Sequence, residues 1–239
     1  MSARFEGRVV LVAGGTGSLG RAASSAFLDE GADVAVTYRN QPDWENFQNS
    51  ASANAVRLQG HEVDVTDEAA VTRLIEKILL KHGRLDAMVN AVGGYAGGLP
   101  LWEMETKVFE QMLNLNLRSG YVLSRAAVRA MLRQGRGSIV NVAGKAAVDH
   151  AAGASAYAAS KAAAVAMLDS LAADVKGSGV RVNTILPSII DTEANRKAMP
   201  KADFSKWPKP QDIARVILFL CSDDGRVIHG AAIPVDADS

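Results

Sequence analysis

Arg8 to Gly20 read RVVLVAGGTGSLG, an apolar run that passes directly into a cluster of glycines. The apolar part, Arg8–Ala13, has the length and the β-branched composition of a buried strand. A helical pattern follows from Gly20 to Glu30 and ends at Gly31. Strand, glycine turn and helix in this order predict the first unit of a parallel sheet that is covered by helices.

The rest of the chain repeats this alternation of short strand-like runs and longer helical patterns. Further strands are predicted at Asp33–Tyr38, Arg57–Val65, Leu85–Val92, Ser138–Ala143, Val180–Ile185 and Ala231–Val235. Further helices are predicted at Asp67–Lys81, Thr106–Gln134, Ala151–Lys176 and Gln211–Cys221, and a long connection at Arg39–Asn54. No internal repeat or linker divides the chain. The sequence therefore predicts one α/β domain over residues 1–239, a doubly wound parallel sheet of the Rossmann type.

The composition narrows the function classes. The 239 residues include 26 basic and 26 acidic residues, so the charge balance predicts no nucleic-acid partner and no membrane partner. One cysteine, Cys221, and scattered histidines predict neither a disulfide framework nor a metal site. No stretch resembles a signal peptide or reaches the length of a bilayer span. We therefore expect a cytoplasmic protein whose partner is a small-molecule substrate.

The glycine cluster also carries a binding prediction. Gly15-Thr16-Gly17-Ser18-Leu19-Gly20 matches G-x-G-x-x-G after a strand and at the start of a helix, and Gly14 precedes it. Glycines let the backbone approach a pyrophosphate, and the free N–H groups of a helix N-terminus attract negative charge. We expect this loop to bind the phosphates of a nicotinamide dinucleotide. The alternative is a glycine-rich turn without a ligand.

The end of the second predicted strand bears on which dinucleotide binds. An NAD site of this type usually has a carboxylate about 20 residues beyond the glycines, where it binds the ribose hydroxyls. This chain has Tyr38 and Arg39 at that point and no acid. The planar guanidinium of Arg39 suits a 2′-phosphate, so the sequence favours NADP over NAD as the cofactor. The alternative is that Arg39 is a solvated surface charge.

Tyr157 and Lys161 are four residues apart in a helical pattern, so their side chains lie on the same helix face. A free tyrosine titrates near pH 10, too high for easy proton exchange at neutrality. A neighbouring ammonium stabilises the phenolate and lowers the pKa of the tyrosine. We therefore expect Tyr157 to act as a general acid or base beside a hydride transfer, with Lys161 as its partner.

With these motifs in order, the chain resembles the short-chain dehydrogenase/reductase family over nearly its whole length. The matching segments are Gly14 to Gly20, Asp64-Val65, Asn90 to Gly93, Asn116, Tyr157 to Lys161, Asn183 to Pro187 with Thr192, and Gly230 to Asp236. The resemblance implies that Tyr157 donates the proton and that Lys161 also holds the nicotinamide ribose. It further implies that Asn116 anchors a water in the proton relay, and that the protein is a homodimer or homotetramer. A monomer is the alternative.

The resemblance also implies further contacts to the dinucleotide. Asp64 and Val65 are expected at the adenine, and Asn90, Ala91, Val92 and Gly93 at the adjoining ribose. Pro187, Ile190 and Thr192 are expected at the nicotinamide end.

One position departs from the family pattern. The family usually places a serine 13 residues before the tyrosine, where its hydroxyl binds the substrate oxygen, and this chain has Gly144 there. Losing a donor to a developing oxyanion can cost about two to three orders of magnitude in turnover. Ser155 could compensate, and a solvated or helix-capping role is the alternative for that serine.

A narrower resemblance, to the dihydropteridine reductases within this family, agrees with the missing serine. It is carried by Gly93-Gly94-Tyr95-Ala96-Gly97-Gly98, Ala143 to Ala147 and Leu186 to Trp207. A quinonoid dihydropterin accepts a hydride and a proton without forming a carbonyl oxyanion, so Tyr157 with Lys161 could suffice. Tyr95 and Trp207 are predicted to bind the flat substrate or, alternatively, to pack under loops. Residues 193–210 are predicted to form a mobile substrate lid.

The sequence thus predicts an NAD(P)H-dependent oxidoreductase, and its first candidate substrate is a quinonoid dihydropterin. The first alternative is a carbonyl or alcohol oxidoreductase such as a 3-oxoacyl reductase. The second alternative is a dinucleotide-binding protein with low turnover, in which Gly144 marks lost catalysis.

Overall fold

A parallel sheet of seven strands forms the centre of residues 3–237, the part of the chain that the computed structural model describes. The strands are β1 (Val9–Ala13), β2 (Asp33–Tyr38), β3 (Leu58–Glu62), β4 (Ala87–Asn90), β5 (Gly137–Val142), β6 (Val180–Pro187) and β7 (Ala232–Val235). Their order across the sheet is β3-β2-β1-β4-β5-β6-β7, and each neighbouring pair is parallel. The predicted doubly wound α/β sheet is therefore confirmed.

Helices cover both faces of this sheet. They are α1 (Ser18–Asp29), α2 (Gln41–Ser50), α3 (Glu68–His82), α4 (Thr106–Met112), α5 (Ser119–Gln134), α6 (Ser155–Asp174), α7 (Glu193–Ala198) and α8 (Pro210–Cys221). Successive residues of β1 point to opposite faces: Val10 and Val12 pack with α1 and α8, whereas Leu11 packs with α3, α5 and α6. Two hydrophobic cores result, one on each side of the sheet. No helix in the described part of the chain is both long and apolar enough to cross a bilayer.

The strand register brings polar residues together at one edge of the sheet. Asn90 of β4 lies beside Asn141 of β5, and Asn141 lies beside Thr184 of β6. Asn90 and Asn141 are buried at the carboxyl ends of their strands, and Thr184 is buried three residues before the end of β6. Because ligands bind outside the carboxyl ends of strands in open α/β sheets, the loops that follow these strands are expected to form the functional site.

Two local features differ from the sequence expectation. The predicted long connection after β2 contains helix α2 instead. Asn40 caps it by accepting a hydrogen bond from the N–H of Asp43, and Trp44 and Phe47, three residues apart, bury one face. The predicted helix over Thr106–Gln134 is interrupted by a π-helical turn at Leu113–Arg118, a type of irregularity that is frequent at functional sites.

Candidate active site

A groove of about 290 Å³ opens where β1, β2 and β4 end. Ten of the positions predicted to bind a dinucleotide line it, namely Gly14, Thr16, Gly17, Tyr38, Arg39, Asp64, Val65, Ala91, Val92 and Gly93. Sequence reasoning missed the other residues that line the groove, namely Thr37, Asn40, Asp43, Val63, Thr66 and Leu115. Thr37 lies in β2, Asp43 in α2 and Leu115 in the π-helical turn, whereas the other three lie between elements, and no motif distinguishes any of them in the sequence.

The glycine loop is folded so tightly that Gly15 and Gly20 have no room for a side chain. A Cβ added to Gly20 would lie 2.0 Å from the carbonyl oxygen of Gly14, and one added to Gly15 would lie 2.4 Å from Cβ of Val36. Gly14 has φ of +75°, and its N–H donates to Oγ1 of Thr37 at 3.0 Å. The glycines therefore allow the close packing of loop, strand and helix that a Rossmann pyrophosphate loop requires.

The N-terminus of α1 fits a negatively charged ligand. Helix α1 begins at Ser18 after Gly17, and no side chain of the described residues caps it. Ser18 is exposed, whereas Leu19 is buried in the core and fixes the helix on the sheet. The uncapped N–H groups and the positive end of the helix dipole suit the pyrophosphate of a dinucleotide.

The side chains after β2 are held by a stack that the sequence did not reveal. The ring of Trp44 in α2 lies parallel to the ring of Tyr38, with 5.5 Å between centroids and 5° between planes. Gly60 of β3 makes room for the indole, since an added Cβ would lie 2.4 Å from Trp44 Cε2. The neighbouring Arg39 is exposed and lines the groove. Trp44 thus supports the strand end that presents Arg39.

Asp64 is the predicted adenine contact on the opposite wall. The N–H and the hydroxyl of Thr66 donate to its Oδ1 at 2.9 and 2.7 Å. These hydrogen bonds, with a smaller contribution from the charge of Arg39, hold the pKa of Asp64 below its ordinary value. Arg39 is therefore the basic residue at this end of the groove, and Asp64 and Asp43 are acidic residues that line it.

Asn90 and Asn116, the two predicted asparagines, form hydrogen bonds with the backbone of the loop after β4. Asn90 is buried, donates to Asn141 Oδ1 at 2.8 Å and accepts from the N–H of Val92 at 3.1 Å. Asn116, within the π-helical turn, accepts from the N–H of Gly94 at 3.0 Å and donates to the carbonyl of Gly94 at 3.1 Å. Both side chains therefore fix the loop after β4. A water anchored by Asn116 stays a prediction.

Tyr157 and Lys161 lie together on one face of α6, as predicted. Lys161 is buried, and its Nζ lies 5.8 Å from the centroid of the Tyr157 ring and donates to the carbonyl of Val142 at 3.3 Å. A Cβ added to Gly93 would lie 3.0 Å from both Lys161 Nζ and Asn116 Oδ1. The structure thus brings Tyr157, Lys161 and Asn116 to the inner end of the dinucleotide groove.

The pKa expected for Tyr157 was wrong in direction. Burial raises the pKa of Tyr157 above its ordinary value, and the neighbouring Tyr95 raises it further. Burial also lowers the pKa of Lys161 to about 8. Burial of the phenol therefore outweighs the stabilisation of the phenolate by the Lys161 ammonium, whose Nζ lies 5.8 Å from the ring centroid. At neutral pH the pair therefore holds a protonated phenol beside an ammonium, an arrangement suited to proton donation.

Gly144 lies directly beside this phenol. A Cβ built on Gly144 would be 3.4 Å from the Tyr157 hydroxyl and 3.7 Å from the carbonyl of Pro187. The glycine has φ of +142°, a backbone conformation that L-residues rarely adopt. The position expected for a serine therefore has space for a side chain, but its backbone is strained for any residue other than glycine.

The other predicted substrate contacts differ in their surroundings. Tyr95 is 64% exposed, and its ring packs edge-on against Tyr157, with 5.1 Å between centroids. Ser155 begins α6, and its hydroxyl is buried without a hydrogen-bond partner among the described residues. Trp207 is only 7% exposed and packs against Phe204, so its ring lies under a loop rather than open to a ligand. The predicted sandwich of a flat substrate by Trp207 is therefore not seen.

The segment after β6 contains helix α7 and several local hydrogen bonds. Thr192 caps α7 through the N–H of Asn195, and Ile190 is partly buried against the core. Arg196 pairs with Asp191 at 2.5 and 2.8 Å, and the N–H of Asp191 donates to the carbonyl of Pro208 at 2.9 Å. A lid function of residues 193–210 stays a prediction. Among residues 3–237, no group of three or more potential metal ligands is found.

Comparison with known proteins places the chain in a family. A family profile described as enoyl-(acyl carrier protein) reductase matches residues 13–237. A 3-oxoacyl-[acyl-carrier-protein] reductase from Thermotoga maritima is 30% identical over 98% of each chain. A D-threitol dehydrogenase from Mycolicibacterium smegmatis is 33% identical over 98% of this chain and 93% of its own.

Solved structures agree with this placement. A short-chain type dehydrogenase/reductase from Mycobacterium ulcerans superposes with a TM-score of 0.93 at 26% identity, over 98% of this chain and 90% of its own. ElxO with NADP bound superposes with a TM-score of 0.91 at 27% identity, over 96% and 97%. The chain therefore belongs to the short-chain dehydrogenase/reductase family of NAD(P)-dependent oxidoreductases.

The buried ammonium of Lys161 gives a first prediction, on stability. The folded pKa of about 8 lies below the ordinary value of 10.5, so the folded protein binds this proton less tightly than the unfolded chain does. The ammonium therefore destabilises the fold below pH 8, and the penalty is relieved as the pH rises from 8 to 10.5. We expect Lys161→Met to raise the free energy of unfolding at pH 7 by roughly 1–3 kcal/mol, measured by urea denaturation.

The gain in the free energy of unfolding of Lys161→Met should shrink when urea denaturation is repeated at increasing pH up to pH 10. Lys107→Met, at an exposed lysine of α4, is the control and should show no such pH dependence. A loss of stability at pH 7, or a difference that does not change with pH, would contradict the desolvated ammonium.

Gly144 gives a second prediction. Gly144→Ala and Gly144→Ser carry the same backbone strain, which we expect to lower the free energy of unfolding by roughly 1–3 kcal/mol in both variants. Only the serine adds a hydroxyl next to the Tyr157 oxygen. On a simple ketone such as 2,3-butanedione we expect the serine variant to turn over about tenfold faster or more than the alanine variant. Equal rates in the two variants would show that a donor at this position has no effect.

Proposed function

We propose that the protein reduces the carbonyl group of a small substrate with NADPH. The observation that carries this proposal is the placement of Tyr157 and a buried Lys161 at the inner end of the groove formed by the glycine loop. The relatives named as 3-oxoacyl reductase and threitol dehydrogenase support a carbonyl or alcohol substrate over a dihydropterin. The second alternative, a binding protein with little turnover, is disfavoured by membership of an enzyme family.

The residues around Tyr157 have separable roles in this reaction. When bound, the dinucleotide supplies the hydride for the carbonyl carbon. Tyr157 donates its phenolic proton to the substrate oxygen, since burial keeps the phenol protonated at neutral pH. The ammonium of Lys161, next to the ring, stabilises the phenolate that remains. Asn116 keeps the loop at Gly94 in place, and Gly144 leaves space for the substrate oxygen.

The remaining dinucleotide contacts are proposed from the family resemblance. The backbone of Gly14 to Gly20 binds the pyrophosphate, and Asp64 and Val65 contact the adenine. The backbone from Asn90 to Gly93 lies beside the ribose, while Lys161 holds the nicotinamide ribose. Pro187, Ile190 and Thr192 border the nicotinamide. The exposed Arg39 in the groove binds the 2′-phosphate, so NADPH is preferred to NADH.

Reduction of a quinonoid dihydropterin remains a second candidate because of one observation. Gly144 has no side-chain donor, and its φ of +142° disfavours the serine that would supply one. A substrate that forms no oxyanion would not need that donor. Tyr95, exposed beside Tyr157, would then contact the pterin ring.

A side-by-side assay separates these candidates. NADPH and NADH are each offered with 2,3-butanedione, with acetoacetyl-coenzyme A and with peroxidase-generated quinonoid dihydropterin. We expect turnover of the butanedione or the thioester with NADPH, and a lower kcat/KM for the pterin. Turnover of the pterin alone would replace the main proposal by the second candidate. No turnover of any of the three would reject both.

The same assay tests the cofactor preference. Arg39→Asp removes the cation and adds an anion that repels the 2′-phosphate, so the ratio of kcat/KM for NADPH over NADH should fall by about tenfold or more. Arg73→Asp makes the same charge change at an exposed position of α3 outside the groove, and its ratio should stay at the parent value. An unchanged ratio in Arg39→Asp would contradict the role of Arg39.

We further propose that the protein is cytoplasmic and forms homodimers or homotetramers, as the family resemblance implies. Residues 193–210 are proposed to close over the substrate. Light scattering after size exclusion gives the oligomeric state, and a mass equal to one chain of 25.2 kDa would contradict the assembly.

A further inference from the structure

Tyr95 belongs to the loop after β4, and its ring lies against the ring of Tyr157. Its ring is 5.1 Å from the Tyr157 ring, centroid to centroid, and the planes meet at 77°. This edge-to-face arrangement is one of the favoured geometries for aromatic pairs. Tyr95 nevertheless remains 64% exposed, so the contact with Tyr157 is not a consequence of general core packing.

The hydroxyl end of Tyr95 rests on backbone that only glycine permits. A Cβ added to Gly97 would lie 2.6 Å from the Tyr95 hydroxyl oxygen and 2.7 Å from the carbonyl oxygen of Gly153. Any larger residue at position 97 would therefore displace the tyrosine side chain. The Tyr95 hydroxyl thus lies directly against the backbone of Gly97.

The same loop is fastened to the segment that leads into α6. The N–H of Gly98 donates to the carbonyl of Gly153 at 2.8 Å, and both glycines have positive φ, +102° and +74°. Helix α6 begins at Ser155, two residues before Tyr157. The other end of the loop is fixed by Asn116, which bonds both backbone groups of Gly94. The loop that carries Tyr95 is therefore held by hydrogen bonds on both sides of Tyr95, at Gly94 and at Gly98.

Tyr157 is consequently contacted from two directions by different groups. Lys161 Nζ lies 5.8 Å from the centroid of its ring, and the ring of Tyr95 meets it edge to face. Proton donation requires the phenolic oxygen to stay within hydrogen-bond reach of the substrate oxygen. The edge-to-face contact makes Tyr95 a neighbour that can restrict the orientation of the Tyr157 ring.

We propose that Tyr95 is a positioning residue, whose ring holds the Tyr157 ring in the orientation for proton donation and whose hydroxyl rests on the glycine loop. This inference rests on the proposed role of Tyr157 as the proton donor. It differs from a role in which Tyr95 only contacts the substrate, because Tyr95 would then affect substrate binding rather than the rate of the chemical step. The higher pKa that Tyr95 gives to Tyr157 is consistent with this contact.

The test compares variants at position 95 in the reduction of 2,3-butanedione by NADPH. Tyr95→Leu removes the ring, and we expect kcat to fall by about tenfold or more because small displacements of a reacting group are costly, whereas KM changes by less than about threefold. Tyr95→Phe keeps the ring and should retain kcat within about threefold of the parent. Trp102→Ala, at an 84% exposed aromatic residue farther along the same loop, is the control and should leave kcat unchanged.

A second readout does not depend on turnover. Absorbance at 295 nm follows phenolate formation, and the titration that disappears in Tyr157→Phe belongs to Tyr157. Because Tyr95 and burial both raise this pKa, the titration should move to lower pH in Tyr95→Leu and stay in place in Trp102→Ala. Thermal melting of each variant checks that the fold is retained.

The outcomes distinguish this inference from the proposed function. If Tyr95→Leu raises KM and leaves kcat unchanged, Tyr95 only lines the substrate site and the inference is wrong. The inference is also overturned if Tyr95→Leu slows the reaction but Tyr95→Phe does so equally. In a Tyr157→Phe background, Tyr95→Leu should have no further effect on kcat. If Tyr157→Phe itself keeps the parent rate, the proposed function fails, and the inference fails with it.

Discussion

The burial of one ammonium group, that of Lys161, is the constraint on which the active site depends. Among the described residues, its Nζ donates a hydrogen bond to the carbonyl of Val142, at the end of β5. Tyr157 lies one helical turn before it on α6, and the loop after β4 closes over it at Gly93. A charge in this position costs free energy, so the surrounding strand ends, glycines and helix must be held in place by the two cores.

That cost is connected to the chemistry. Desolvation lowers the pKa of Lys161 and raises that of Tyr157, which places the exchangeable proton on the phenol. The buried Lys161 ammonium lowers the stability of the fold, but it also stabilises the phenolate that Tyr157 becomes when it donates its proton. The loop after β4 adds the second requirement, because Asn116 and the glycines at 97 and 98 fix the groups around the phenol.

Much of this arrangement could be predicted from the sequence, for identifiable reasons. Strand β2 was predicted at its observed bounds, Asp33–Tyr38, because β-branched residues and flanking turn residues mark it. The glycine loop and the Tyr157–Lys161 pair were found because short-range spacing determines them. Helix α2 is missed because most of its residues are polar and only Trp44 and Phe47 are buried. Its stability depends on tertiary packing, such as that of Trp44 against Tyr38 and Gly60, which the sequence does not show.

The misjudged features depend on three-dimensional surroundings. The pKa of Tyr157 was expected to fall because spacing shows a nearby lysine but not the burial of both groups. The absent serine at Gly144 was visible, whereas its φ of +142° was not. For Trp207 the sequence leaves open a ligand contact or packing under a loop, and its burial beside Phe204 depends on tertiary packing that the sequence does not show.

Single-turnover reduction of 2,3-butanedione by Tyr157→Phe, with NADPH prebound, tests the account most directly. The phenylalanine ring keeps the packing against Tyr95 and Lys161 but has no proton to give. We expect the NADPH dissociation constant to stay at the parent value and the reduction rate to fall by roughly three orders of magnitude or more. A variant that binds NADPH normally and reduces the ketone at the parent rate would contradict proton donation by Tyr157.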